Sequence, residues 1–135
     1  MSEENVETFK RGTEAYNRRD AQAMIEELDP AIEWHPGLEV MLGGEATVYR
    51  GYEGVIAMLR DVDDALAGIY AEYSEVRDVG DQVVALGHIR TRGKASGAET
   101  EAPLGVVADF RNGKLTRIRT FLDPEKALKA AGLSE

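Results

Sequence analysis

Residues 82–123 read QVVALGHIRTRGKASGAETEAPLGVVADFRNGKLTRIRTFLD, and their reading decides the fold. Gln82 to Lys94 alternates. Val84, Leu86, His88, Arg90 and Arg92 fall on one side, and Val83, Ala85, Gly87, Ile89 and Thr91 on the other. That period predicts a strand. Gly93 to Gly97 is a small-residue loop. Glu99 to Arg111 is a second strand, in which Pro103 predicts an edge or a bulge, because proline brings no N–H to a ladder. Asn112-Gly113 predicts a tight hairpin, since both turn positions want positive φ. Lys114 to Leu122 then closes the sheet.

The segments on either side supply what covers this sheet. Upstream, Ile69 to Asp78 alternates loosely and reads as a long, partly exposed strand that turns at Gly80-Asp81. Gly51 to Leu66 is the clearest helix, with Val55, Met58, Leu59, Val62 and Leu66 on one stripe and Gly68 as its stop. Downstream, Asp123 caps a last helix, with Pro124 suited to its first position and Gly132 at its end. Ser2 to Asn17 predicts a first helix with Val6, Phe9, Thr13 and Tyr16 on one face. Gly12 beside them suggests a close approach by another element, and Tyr16 reads as a core tyrosine with its hydroxyl at the rim. Asp20 caps a short helix over Ala21 to Leu28, which Asp29-Pro30 stops. Ala31 to His35 is a short strand, and Leu38 to Tyr49 a loop with an extended end. Helices on one face of an antiparallel sheet predict an α+β domain spanning 1–135.

The totals narrow the function classes. The 135 residues contain no cysteine, which excludes disulfides and thiolate chemistry. A formal net charge of −9 repels phosphate backbones and anionic membrane surfaces, so neither nucleic acid nor membrane is an expected partner. Met1-Ser2-Glu3-Glu4-Asn5 lacks the basic-then-apolar pattern of a signal peptide, and a cytoplasmic location is expected. There is no metal motif, phosphate loop or dinucleotide fingerprint, so no cofactor is expected.

Read in order, the chain resembles the SnoaL-like branch of the nuclear transport factor 2-like superfamily, which includes the ketosteroid isomerases. The resemblance is carried by Ala15-Tyr16-Asn17-Arg18-Arg19-Asp20, Leu28-Asp29-Pro30-Ala31-Ile32-Glu33-Trp34 and Tyr49-Arg50-Gly51-Tyr52-Glu53-Gly54. Gly80-Asp81-Gln82-Val83-Val84, Arg111-Asn112-Gly113-Lys114 and Phe121-Leu122-Asp123 continue it. It implies a cone: a strongly curved, mostly antiparallel sheet wrapped around a long helix, with a pocket at the open end. It also implies a homodimer through the outer sheet face and a small hydrophobic or amphipathic ligand. The fold hosts isomerases, cyclases, dehydratases, hydrolases and non-catalytic modules, so it does not choose among them.

The resemblance also points to site residues. His35 stands where ketosteroid isomerases carry the proton-moving carboxylate, and imidazole moves protons near neutral pH. Trp34 shares a face with Ile32 and His35 with Glu33, so both cannot face one pocket in a regular strand. Asp123 stands near the catalytic aspartate of SnoaL-type cyclases, although it already serves as a helix cap. His88 and Arg90 have the spacing of a hydrolase pair, but lack its carboxylate unless Asp109 or Asp123 supplies one. Tyr49 and Arg119 complete a set able to polarise or orient a substrate, while Arg117 and Arg119 can equally pair with Asp109 across the hairpin. The isomerase's two oxyanion donors map onto Gly12 and near Val106, neither of which donates from a side chain. Two function classes therefore stand side by side: cofactor-independent acid–base catalysis with His35 and Asp123 as proton carriers, and a non-catalytic ligand-binding or dimerisation module.

Overall fold

The computed structural model describes residues 2–36 and 47–133. Most of the loop expected over Leu38–Tyr49 lies outside the described residues. The first helix, α1, spans Ser2–Arg18, and the short α2 spans Ala21–Glu26. Arg19 between them takes a left-handed φ of 55°. Asp20 caps α2 by accepting from the Ala23 N–H at 3.1 Å. Strand β1 spans Leu28–His35, starting before the expected Ala31. Proline stops a helix but tolerates an extended chain. Its missing N–H falls in a stretch where the register of β1 shifts, between Leu28 and Glu33.

Strand β2 is Tyr49–Arg50, and α3 follows at Gly51–Ala65. Leu66 is already extended, at φ −127° and ψ 141°, so α3 runs into β3 (Leu66–Val79) with no loop. Gly68, expected to stop the helix, lies inside β3. The buried Leu66 ends the helix's apolar stripe and begins the strand's inward row. Strands β4 (Gln82–Gly93), β5 (Glu99–Arg111) and β6 (Lys114–Phe121) follow, then α4 at Pro124–Ala130. The Asn112-Gly113 turn has φ 54° and 77°, as its chemistry requires.

Among the described residues the six strands form one sheet, in the order β2-β1-β6-β5-β4-β3. All pairings are antiparallel except β1 with β6. Strand β6 reaches only to Gly105 of β5. Pro103 therefore lies in a stretch of β5 paired with β4 alone, which resolves how proline sits in a strand that is otherwise central.

The sheet curls over α1, α2 and α3 as an α+β cone. Ile69, Ala71, Val83, Ala85, Ile89, Leu104, Val106, Ala108, Leu115 and Ile118 point into it. Phe9, Met24, Val55, Met58 and Leu59 of the helices meet them. A smaller apolar patch lies on the opposite face. There Val84 and Val107 are fully buried, and Ala127 and Leu128 of α4 are buried with them. Gly105 admits α4: a Cβ there would sit 2.6 Å from the Ala127 Cβ.

A bulge shapes β3. Tyr73 pairs with Gly87 and Glu75 with Leu86, leaving Ser74 as the extra residue. Before the bulge Ile69, Ala71 and Tyr73 turn inward; after it Val76 does. Gly87 makes the bulge possible, because a Cβ there would lie 2.0 Å from the Glu72 carbonyl oxygen and 2.7 Å from the Tyr73 Cα.

Candidate functional site

The cone holds an apolar cavity of about 60 Å³. That is several times what one water needs, roughly 10–15 Å³ on the same kind of measure. Phe9, Gly12, Thr13 and Tyr16 of α1 form one wall. They follow the helical spacing of the predicted stripe. Trp34 and Pro36 stand at the end of β1, and Ala71 and Tyr73 come from β3. Ile89, Leu104, Val106, Leu115, Ile118 and Thr120 complete the sheet side. Gly12 admits no close approach: a Cβ there would meet only the Leu115 Cδ1, at 3.8 Å. Its lack of a side chain leaves room in the cavity instead.

Two aromatic pairs stiffen the walls. Tyr16 and Trp34 stack with ring centroids 6.0 Å apart and planes 20° apart. Phe9 and Tyr73 meet at 5.2 Å, tilted by 60°. Burial pushes the Tyr16 hydroxyl pKa up, with the nearby Arg19 charge pulling the other way. Burial raises Tyr73 too, and the neighbouring Tyr16 adds to the rise. Both hydroxyls are therefore neutral donors at physiological pH. Arg19 is itself held by Asp63 of α3 at 2.9 Å, and its Nη1 is buried with no hydrogen-bond partner among the described residues.

Of the sequence-derived site residues, only Trp34 lines this cavity. Trp34 pairs with Ile118 and faces inward with it. His35 pairs with Arg119 and shares the outer face with Glu33, whose Oε1 lies 3.4 Å from the His35 Nε2. The Tyr49 hydroxyl donates to the Asp61 carboxylate at 2.7 Å, away from the cavity lining. His88 is exposed on the outside of β4. Arg90 reaches Glu72 at 3.5 Å and lies 5.4 Å above the Tyr70 ring. Asp123 caps α4, accepting from the Glu125 N–H at 3.0 Å.

Asp109 and Arg119 belong to an outer-face network. Asp109 accepts from Arg117 Nε at 3.0 Å and from Gln82 Nε2 at 2.8 Å, and Arg119 stands 4.0 Å away. The register extends this into one row across five strands: Arg50, Glu33, Arg117, Asp109, Gln82. Arg50 donates to Glu33 at 2.7 Å, so charges alternate along the row up to the neutral Gln82. Arg119 lies beside the row with its Nε buried and unpartnered among the described residues, and burial lowers its pKa, helped by Arg117.

Sequence reasoning passed over Tyr73, Thr13 and Thr120, and favoured Tyr16 as a core residue over a hydroxyl donor. Thr13 and Tyr16 were within reach, because they share the α1 stripe with Phe9. The cavity lining among the described residues contains no carboxylate and no imidazole. No cluster of three or more metal-ligating side chains occurs among them either. Among the described residues the arrangement sets hydroxyl-bearing side chains in an apolar lining and brings no base there.

A curled α+β sheet closed by a helix over such a cavity defines a cone of the NTF2-like class. The sequence profile of the SnoaL-like domain matches residues 9–118, and the chain belongs to that family. No curated protein sequence matches it. Among solved structures it is similar to an NTF2-like protein of unknown function from Burkholderia pseudomallei K96243. The two are 25% identical, over 93% of this chain and 95% of that one, with a TM-score of 0.79. It is similar in fold to TerC, crystallised with polyporic acid, at 23% identity, 96% and 98% coverage and a TM-score of 0.78. A SnoaL-like polyketide cyclase candidate from Jannaschia sp. CCS1 is 18% identical over 89% of this chain and 85% of that one, with a TM-score of 0.73.

Proposed function

We propose that the protein binds a small, mostly apolar ligand inside the cone. The cavity carries this reading: its walls are aliphatic and aromatic, and Trp34 and Tyr16 present a stacked ring surface. Small-molecule sites are concave, mostly apolar, and marked by a few placed polar groups. The lone tryptophan stands in the wall, so its emission reports occupancy. Ethylbenzene should change Trp34 emission saturably, and Val106→Phe, which fills the cavity from β5, should abolish the change. Emission that stays flat in the wild type, or saturates equally in the filled variant, overturns the reading.

A second reading adds cofactor-independent acid–base chemistry on that ligand, of the isomerase, cyclase, dehydratase or hydrolase kind. The two tyrosines in the lining favour it, since a hydroxyl that reaches a developing oxyanion in an apolar site stabilises it. His35 and Asp123 remain its proposed proton carriers. Each would act from outside the described cavity lining, so His35→Asn and Asp123→Asn are the deciding variants. Turnover of small ketones, epoxides and lactones that is unchanged in both removes them from the mechanism. Turnover that is absent from the wild type leaves the non-catalytic binding module. A homodimer through the outer face and a cytoplasmic location complete the proposal. The Arg119 Nε, unpartnered among the described residues beside the charged row, supports the dimer, and sedimentation of the purified chain tests it.

A further inference from the structure

The asparagines of this chain are Asn5, Asn17 and Asn112, and the structure holds each differently. Asn17 has both ends of its amide bound to the Ala71 main chain, each at 2.9 Å. Asn5 is buried within α1, and the β-branched Val6 follows it. Asn112 is exposed at the tip of the β5–β6 hairpin, and Gly113 follows it. Neither the Asn112 amide nor the Gly113 N–H makes a hydrogen bond among the described residues. Nothing crowds that nitrogen: a Cβ built on Gly113 would meet no atom within 4 Å. The dipeptide that suits the turn thus sets a free side-chain amide beside an open main-chain nitrogen.

We propose that Asn112 is a modification site, at which the chain deamidates through a succinimide closed by Gly113. Hydroxide takes the Gly113 N–H proton, and the nitrogen attacks the Asn112 Cγ. The N–Cγ bond forms, the Cγ–Nδ2 bond breaks, and ammonia leaves with a proton from water. A second water then opens the ring. Cleavage at Cγ gives aspartate, and cleavage at the main-chain carbonyl gives isoaspartate, whose chain runs through Cβ. Exposed turns open locally at little cost, which brings the nitrogen onto Cγ. The two products act differently on the hairpin. Asp-Gly suits a two-residue turn as Asn-Gly does. Isoaspartate inserts an extra main-chain atom into a turn closed by the pairing of Arg111 with Lys114. Turn length fixes hairpin register, so the isoaspartyl form loosens the ladder that brings Arg117 to Asp109 at 3.0 Å.

The test ages the folded chain in mildly alkaline buffer made with heavy-oxygen water, and follows it by ion exchange and peptide mapping. The free peptide covering Arg111 to Lys114 is aged beside it. Asn112 should lose its amide, take up heavy oxygen and yield both aspartate and isoaspartate, while Asn5 and Asn17 stay intact. Asn112→Gly keeps a Gly-Gly turn and should form no new acidic species. Asn112→Asp, which stands for one product, should melt as the fresh wild type does, and the isolated isoaspartyl fraction should melt lower. If Asn112 keeps its amide while the free peptide converts, or if Asn5 or Asn17 is lost as fast, the site is overturned. Conversion to aspartate without isoaspartate overturns the succinimide route. An isoaspartyl fraction that melts as the wild type does overturns the effect on the hairpin.

Discussion

Asn17 grips Ala71 with both ends of its amide. Its Nδ2 donates to the Ala71 carbonyl and its Oδ1 accepts from the Ala71 N–H, each at 2.9 Å. Strand β3 is the edge of the sheet, and Ala71 pairs with β4 on its other side. One side chain thus satisfies main-chain groups that an edge strand leaves open, and fastens α1 to the cavity wall. Removing it strands both groups. Asn17→Ala should cost about 2–3 kcal/mol. Asn17→Asp should do no better, because a carboxylate cannot donate to the Ala71 carbonyl. Urea unfolding checks this as a lower midpoint at unchanged slope. A loss below about 0.5 kcal/mol would show that water replaces the amide without penalty.

Gly87 is required by backbone, not by flexibility. The atoms its Cβ would strike belong to the main chain of Glu72 and Tyr73, which cannot rotate away. Gly87→Ala should cost about 3 kcal/mol and move the Tyr73 ring. Gly68, in the same sheet, has nothing within 4 Å of a built Cβ. Gly68→Ala should be neutral or stabilising by a few tenths of a kcal/mol to about 1 kcal/mol, through the unfolded chain. Thermal unfolding of the two variants side by side decides; equal effects would refute the steric account.

The outer face should show itself in acid. The hydrogen bond with His35, then that with Arg50, holds the Glu33 carboxyl below its ordinary pKa of 4.5. A depressed folded pKa means that the unfolded chain takes up the proton first as pH falls. The stability from Glu33 is therefore complete above the ordinary value, and is lost as pH drops through the lowered one. Glu33→Gln should lower the melting temperature near neutral pH, and the gap to wild type should close in acid. A gap constant over that range would mean that the pairs contribute nothing through ionisation.

What could be read from the chain alone was what lies within one element. The α1 stripe, the β4 alternation and the Asn112-Gly113 turn depend on neighbours a few residues away, and all appear as read. Parity showed that Trp34 and His35 cannot face the same way, but only the pairing of Trp34 with Ile118 says which turns inward. Tyr73 was hidden for a related reason. The bulge at Ser74 breaks the period of two, so no single parity describes β3. The charged row was hidden because its members come from five separate strands, aligned only by register.

The place of β6 in the sheet has a consequence for how the molecule is made. It lies between β1 and β5, so the strand order departs from the chain order. During synthesis β1 and β2 emerge early, yet the edge they must join appears only after β3, β4 and β5. Until then Trp34 has no Ile118 opposite it, and the two walls of the cavity are not yet one surface. Pairings of such long sequence separation bear their loop-closure entropy before any contact rewards it. Docking of β1 thus has to wait for β6, and the cavity cannot close before β6 is in place.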